Sequence, residues 1–169
     1  DVLANGSNTV IGYQSYEFGT SQSSVAIGYQ SLRGGSATNI GQGNTAIGYQ
    51  SLSGITNGLQ NIAIGYQSGS AMSSGDKNVI IGSFSGQAGN FDIRATDNNI
   101  ILSDGGGNIR QWMDTNGKLQ LPDYGSGTHT GTLAKSLGVD TSGNVIEFTS
   151  GAGTGTVAGT GTAGTITKW

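Results

Sequence analysis

The chain has no cysteine and a single proline; only 10% of its residues are charged and 7% aromatic. Without cysteine there is neither a disulfide framework nor a thiolate metal centre, and the redox compartment stays open. Seven Lys and Arg against ten Asp and Glu leave a formal net charge of −3. That is the wrong sign and density for neutralising a phosphate backbone, which excludes nucleic acid as a partner. No run of about 18 apolar residues and no basic-then-apolar start is present, so this segment predicts no membrane insertion and shows no signal peptide. Hydrophobic residues make up 34%, lean for a self-sufficient globule, whereas glycine is abundant at 32 of 169. Those glycines lack the Gly-X-Y period of collagen. The apolar residues recur in register, so order is expected to come from repetition.

Ile11-Gly12-Tyr13-Gln14 returns as Ile27-Gly28-Tyr29-Gln30, Ile47-Gly48-Tyr49-Gln50 and Ile64-Gly65-Tyr66-Gln67, then degrades to Ile81-Gly82-Ser83-Phe84. Successive offsets are 16, 20, 17 and 17 residues, and a sixth copy, Asn99-Ile100-Ile101-Leu102-Ser103, lies 21 further on without the glycine. This spacing predicts an all-β, parallel β-solenoid or β-roll of about six coils, with strands of constant length and extra residues in loops. Gly, Ser, Thr and Asn are too frequent in these segments for helix.

Alternation within each copy sorts the strand residues into columns. Thr9, Val25, Thr45, Ile62, Val79 and Ile100 form one; Ile11, Ile27, Ile47, Ile64, Ile81 and Leu102 form a second on the same face. Both are mostly β-branched, and that face is expected to fill the coil core. The opposite column reads Val10, Ala26, Ala46, Ala63, Ile80 and Ile101, small in the middle copies and large at both ends. Its small members Ala26, Ala46 and Ala63 are expected at an inter-chain contact, because alanine facing open water would be under no size constraint. Gly12, Gly28, Gly48, Gly65 and Gly82 read as coil corners that need positive φ or a missing Cβ. Asn8, Asn44, Asn61, Asn78 and Asn99 precede the strands either as turn formers or as a hydrogen-bonded ladder, and the sequence leaves both open.

The run Asn44-Thr45-Ala46-Ile47-Gly48-Tyr49-Gln50-Ser51 resembles the Asn-Ser-Val-Ala-Ile-Gly-x-x-Ser repeat of trimeric autotransporter adhesin heads. With Tyr-Gln after the glycine it is still more similar to phage and prophage tail-fibre repeats. The resemblance covers roughly residues 5 to 104 and implies three left-handed parallel β-rolls about one axis, hence a homotrimer. It implies a roll-core role for Ile11, Ile27, Ile47 and Ile64, a corner role for Gly12, Gly28, Gly48 and Gly65, and the small position for Ala26, Ala46 and Ala63. Coils of 20 and 21 residues and Ser103 in place of glycine depart from the pattern.

Beyond residue 104 the period stops. Asp104-Gly105-Gly106-Gly107-Asn108, Asp114-Thr115-Asn116-Gly117-Lys118 and Asp140-Thr141-Ser142-Gly143-Asn144 lie between short apolar runs and read as tight hairpin turns. Such hairpins bury little alone, so residues 105–150 are expected to intertwine in a trimeric β-prism-like region, after a roll at 1–104. Residues 151–169 read as a Gly/Thr-rich extended neck or linker. The segment 134–145 resembles the distal part of phage tail fibres, upstream of a C-terminal chaperone domain, which favours a virion over a bacterial surface. Repeat arrays need capped ends, so a longer polypeptide is expected.

Catalytic and ligand chemistry is weakly represented. His129 is alone among Thr, Gly and Ser, with no second ligand at zinc or triad spacing. No serine sits in a Gly-x-Ser-x-Gly elbow. Gly105-Gly106-Gly107 lacks the helix and lysine of a phosphate cradle. Asp114-Thr115-Asn116-Gly117 looks like the start of a calcium loop, but no bidentate acid follows at the required spacing. Tyr13, Tyr29, Tyr49 and Tyr66, with Gln14, Gln30, Gln50 and Gln67, are the candidate glycan contact, ring faces for sugars and amides for hydroxyls. Identical residues in every coil also suit a ladder kept for stability, which is the favoured reading.

The expectation is therefore a non-enzymatic structural segment, without cofactor or metal, of a trimeric phage tail fibre or spike. It would present or form a host-attachment surface on the extracellular virion tail. Its partners would be its own copies, other tail proteins and a host-surface polysaccharide or protein receptor. The alternative is a bacterial trimeric adhesin head at the cell surface, told apart by whether the gene ends in a membrane-anchor barrel or a chaperone domain. An ice-binding solenoid would want a continuous Thr column, which Thr9 and Thr45 do not provide. A glycan-degrading spike would want a carboxylate pair, which no repeat places.

Overall fold

The structure is a computed structural model that describes residues 6–18, 22–34, 41–122, 135–139, 142 and 145–149. Five strands of three residues, β1 (Thr9–Ile11), β2 (Val25–Ile27), β3 (Thr45–Ile47), β4 (Ile62–Ile64) and β5 (Val79–Ile81), stack in parallel, and β8 (Ile100–Ser103) joins them as the sixth. Register follows the repeat: Thr45 pairs with Ile62, Ala46 with Ala63 and Ile47 with Ile64, and likewise along the stack. The chain is an all-β, parallel solenoid of about five turns, with no helix among the described residues. The 21-residue coil between β5 and β8 takes up its extra length in a small hairpin of β6 (Gln87–Ala88) and β7 (Phe91–Asp92).

Outside the strands the coils are turns that stack like strands. Gln50 N donates to Tyr29 O at 2.8 Å, Gly65 N to Ile47 O at 2.8 Å and Leu52 N to Ser68 O at 2.9 Å, so backbone groups find partners one coil away. To aim them there the chain adopts left-handed backbone at Gln30, Gln50 and Gln67 (φ 53, 52 and 52) and at Leu32 and Leu52 (φ 47 and 49). Each such non-glycine residue costs about 1–2 kcal/mol, offset by the inter-coil bonds that hold it.

Burial inverts the expected faces. Ile11 and Ile81 are 59% and 43% exposed, Ile64 is exposed, and Ile27 and Ile47 are half-exposed, so the isoleucine column is the outer face of the sheet rather than the coil core. Ala26, Ala46 and Ala63 are buried inside the roll and touch no outside surface, so they cannot form an inter-chain contact. The core is Ala26, Ala46, Ala63, Ile80 and Ile101 on the strand wall against Leu32, Leu52, Ile55, Met72, Phe84 and Ile93. The walls are close: Ser51 Oγ donates to Ala63 O at 2.8 Å and Ser68 Oγ to Ile80 O at 3.0 Å, from buried positions.

Alanine is the size that fits where leucine fills the opposite wall. Where Gly69 replaces leucine, Ile80 takes the space; a Cβ at Gly69 would come within 2.7 Å of Leu52 Cδ2 and 3.4 Å of Ile80 Cδ1. The small-to-large trend along the column thus conserves interior volume, as close packing requires. Ala63→Leu is accordingly expected to destabilise the roll by about 1–3 kcal/mol through overpacking, read as a lower midpoint in denaturant.

Past β8 the sheet turns antiparallel through β9 (Ile109–Met113) and β10 (Leu119–Gln120), with a register shift at Leu102/Ser103. The turns at Asp104 and Asp114 are the expected tight hairpins. Asp104 Oδ1 accepts from the Gly106 and Asn108 amides, and Asp114 Oδ1 from those of Asn116 and Lys118. Hydrogen bonds from Asn108 and Arg110 hold the Asp104 carboxyl well below the usual range. Residues 105–120 continue the roll's own sheet, so the boundary expected at 104 falls inside one compact unit, residues 1–127. In the second unit, residues 128–169, β11 (Lys135–Val139) and β12 (Val145–Thr149) form an antiparallel pair. His129, most of the 140–144 turn and the neck expected at 151–169 lie outside the described residues.

Candidate functional site

The roll carries three surfaces with distinct chemistry. The first is the outer sheet face, where Ile11, Ile64, Ile81 and Leu102 are exposed beside the exposed Ile62 and Ile100. Both columns run the length of the parallel stack and contain no charged residue. A parallel sheet is normally covered on both faces, because near-continuous β-branched strands have no solvent side. This one, in a single chain, is bare on the outside.

The second surface is the Tyr-Gln edge that follows each corner. Tyr13, Tyr29, Tyr49 and Tyr66 stack with centroids 5.5, 5.3 and 5.1 Å apart and planes within 15°. Gln30 Nε2 donates to Gln14 Oε1 at 2.8 Å, Gln50 Nε2 to Gln30 Oε1 at 2.9 Å and Gln67 Nε2 to Gln50 Oε1 at 3.0 Å. Each ring face inside the row is taken up by its neighbour, and each inner amide gives one N–H and one oxygen lone pair to the ladder. Sugar stacking needs a free aromatic face, so Tyr29 and Tyr49 offer only edges and hydroxyls. Tyr66, 58% exposed against 41% for Tyr49, ends the row where Ser83 replaces tyrosine.

A third set lies inside. Asn44, Asn61, Asn78 and Asn99 are buried and form the ladder that the sequence left open. Asn61 N and Nδ2 donate to Asn44 Oδ1, and the pattern repeats from Asn78 to Asn61 and from Asn99 to Asn78. Trp112 Nε1 closes the file by donating to Asn99 Oδ1 at 3.2 Å. The second coil has Ser24 in the ladder position. Its Oγ is the one buried side-chain polar atom without a partner among the described residues. Ser24→Asn is expected to extend the file and stabilise the roll by about 0.5–1.5 kcal/mol, seen as a raised Tm.

Where the ladder ends, the antiparallel cap opens a cleft of about 470 Å3 walled by Phe91 and Trp112 and rimmed by Asp97, Asn98, Asp114 and Thr115. The indole is fixed by its bond to Asn99 and by an edge contact with Phe91, centroids 4.5 Å apart at 82°. Asp92, also on the rim, is paired with Arg94 at 2.7 Å, and that guanidinium lowers its carboxyl to about 2. No group of three or more His, Cys, Asp or Glu able to hold a metal ion occurs among the described residues.

The sequence brought the Tyr and Gln rows together correctly and placed the corner glycines. It gave no sign of the cleft, whose walls come from two hairpins with no shared spacing. The inner leucines were signalled by Ser-Leu after Tyr-Gln at Ser31-Leu32 and Ser51-Leu52, a doublet that repeats beside the motif. No family model, curated protein or solved structure matches the chain.

Proposed function

We propose that this chain is a shaft section of a trimeric extracellular attachment fibre of the phage tail type, with a mechanical role in presenting or forming a host-attachment surface. The observation that carries the reading is the bare, β-branched outer face of the parallel stack. Apolar patches running continuously across a monomer mark contact surfaces. This one repeats coil by coil, so a second copy running alongside meets the same residues at the same spacing. The inter-chain contact is thereby reassigned from the alanine column to Ile11, Ile27, Ile47, Ile64 and Ile81 with their neighbours. The stacked Tyr and Gln ladders and the buried Asn file stiffen each roll along its axis, which suits a spacer under load. A bacterial adhesin head remains the alternative and shares the same assembly.

Light scattering of the full chain is expected to give three times the chain mass. Replacing Ile64 and Ile81 together by lysine puts charges on an outer face that a lone roll tolerates, and is expected to release folded monomers. A wild-type folded monomer, or a trimer that survives both lysines, overturns the assembly.

A further inference from the structure

We infer that the cleft beside Trp112 is a binding site for a neutral saccharide unit, and that it, rather than the tyrosine row, is the sugar-contacting part of this chain. This rests on the attachment half of the proposed function and not on its assembly half. Saccharides present two kinds of surface, an apolar C–H face and a rim of hydroxyls that donate and accept. Their sites accordingly combine an aromatic wall with planar polar acceptors. The cleft supplies both: Phe91 and Trp112 stand against Asp97, Asn98, Asp114 and Thr115. Its volume, about 470 Å3, lies in the range of small-molecule sites.

The wall is preorganised. Trp112 is held by its backbone pairing to Ile101 and Gln120, by its bond to the buried Asn99 and by Phe91. The acceptors are held as well. Asp97 Oδ1 takes the Asp76 amide at 2.8 Å, and Asp114 Oδ1 takes two amides of its own turn at 2.9 Å. In both carboxylates Oδ2 accepts no hydrogen bond among the described residues, which leaves a fixed anionic acceptor for a hydroxyl. Neither Asp97 nor Asp114 has an ion-pair partner among those residues, whereas Asp92 is neutralised by Arg94. The uncompensated negative rim repels sialic and uronic acids and selects uncharged sugars. In the tyrosine row the inner faces are already stacked, and only the end rings Tyr13 and Tyr66 keep a face without an aromatic neighbour, with no aromatic second wall beside it.

The test uses the full chain, with saturation-transfer NMR against galactose, glucose, N-acetylglucosamine and N-acetylneuraminic acid. At least one neutral sugar is expected to bind, with Kd near 1 mM as an order of magnitude, and the acidic sugar not to bind. Asp97→Asn and Asp114→Asn retain the oxygen that holds the backbone amides and remove the charged acceptor. Each is expected to weaken binding about tenfold with Tm unchanged. Tyr49→Ser with Tyr66→Ser is expected to leave binding intact. No saturable transfer up to about 50 mM, preference for the acidic sugar, or affinity unmoved by both aspartate changes overturns the site. Light scattering on the same sample separates the outcomes: a trimer that binds no sugar removes the cleft and leaves the shaft.

Discussion

Gly48→Ala is expected to cost about 3–5 kcal/mol and to unfold the central coils at temperatures where the parent protein is intact, although it adds one methyl group near the surface. Two costs coincide. The corner has φ 131, where L side chains are strained. The new Cβ would also strike the Gly65 carbonyl oxygen of the next coil and lie 2.8 Å from its carbon. That neighbour cannot retreat, because Gly65 N donates to Ile47 O at 2.8 Å and Gly65 in turn faces Gly82 at the same close approach. A shift at one corner must pass along the stack. Gly105→Ala is the control: it has ordinary φ and nothing within 4 Å of a Cβ, and is expected to stay within about 0.5 kcal/mol of the parent. Equal midpoints in urea for the two variants would refute the corner argument.

The second large effect is expected at Asn61. Its side chain donates to Gly75 O at 2.8 Å and to Asn44 Oδ1, and accepts from both nitrogens of Asn78, all out of contact with water. Asn61→Ala leaves the Gly75 carbonyl and the Asn78 amide buried without partners. At about 1–3 kcal/mol for each orphan, the total is about 3–5 kcal/mol. Hydrogen exchange gives a second reading, since the amides of Asn78 and Asn99 should lose protection while those of β9 lose less. Asn57→Ala, an exposed position in the same coil, is expected to change stability by no more than about 0.5 kcal/mol. If the two variants melt together, the asparagines serve as turn formers and the file has no energetic weight.

Much of this architecture was legible beforehand, for a physical reason particular to stacked coils. When one coil sits on the next, each residue meets its own counterpart, so the alignment of repeats is also the strand register. Thr45 opposite Ile62 and Ile47 opposite Ile64 are read off the sequence without knowledge of the turns between. The same translation puts Tyr49 on Tyr66 and Gln50 on Gln67. The length of the 21-residue coil signalled an insertion, though not that it pairs with itself at Gln87–Asp92 and lays Phe91 against Trp112. That contact joins residues 91 and 112 through packing alone, so no period announces it, and the saccharide cleft was invisible for the same reason.

The isoleucine of the recurring Ile-Gly-Tyr-Gln shows where sequence stops. Its spacing determined that there are coils, where they turn, which residues stack and that glycine must occupy the corner. It did not determine which side of the strand faces in. Alternation in a strand has period two and reads the same from either face, and hydrophobicity favoured the isoleucines. Tertiary structure decided otherwise, because the Ser51 hydroxyl and the Ala63 carbonyl stand 2.8 Å apart across the roll and Leu52 already occupies the interior. Beside the inner leucines only a small side chain fits on that face, Ile80 being admitted where Gly69 replaces leucine, and the isoleucine column of the motif is left outside on the face we assign to neighbouring chains.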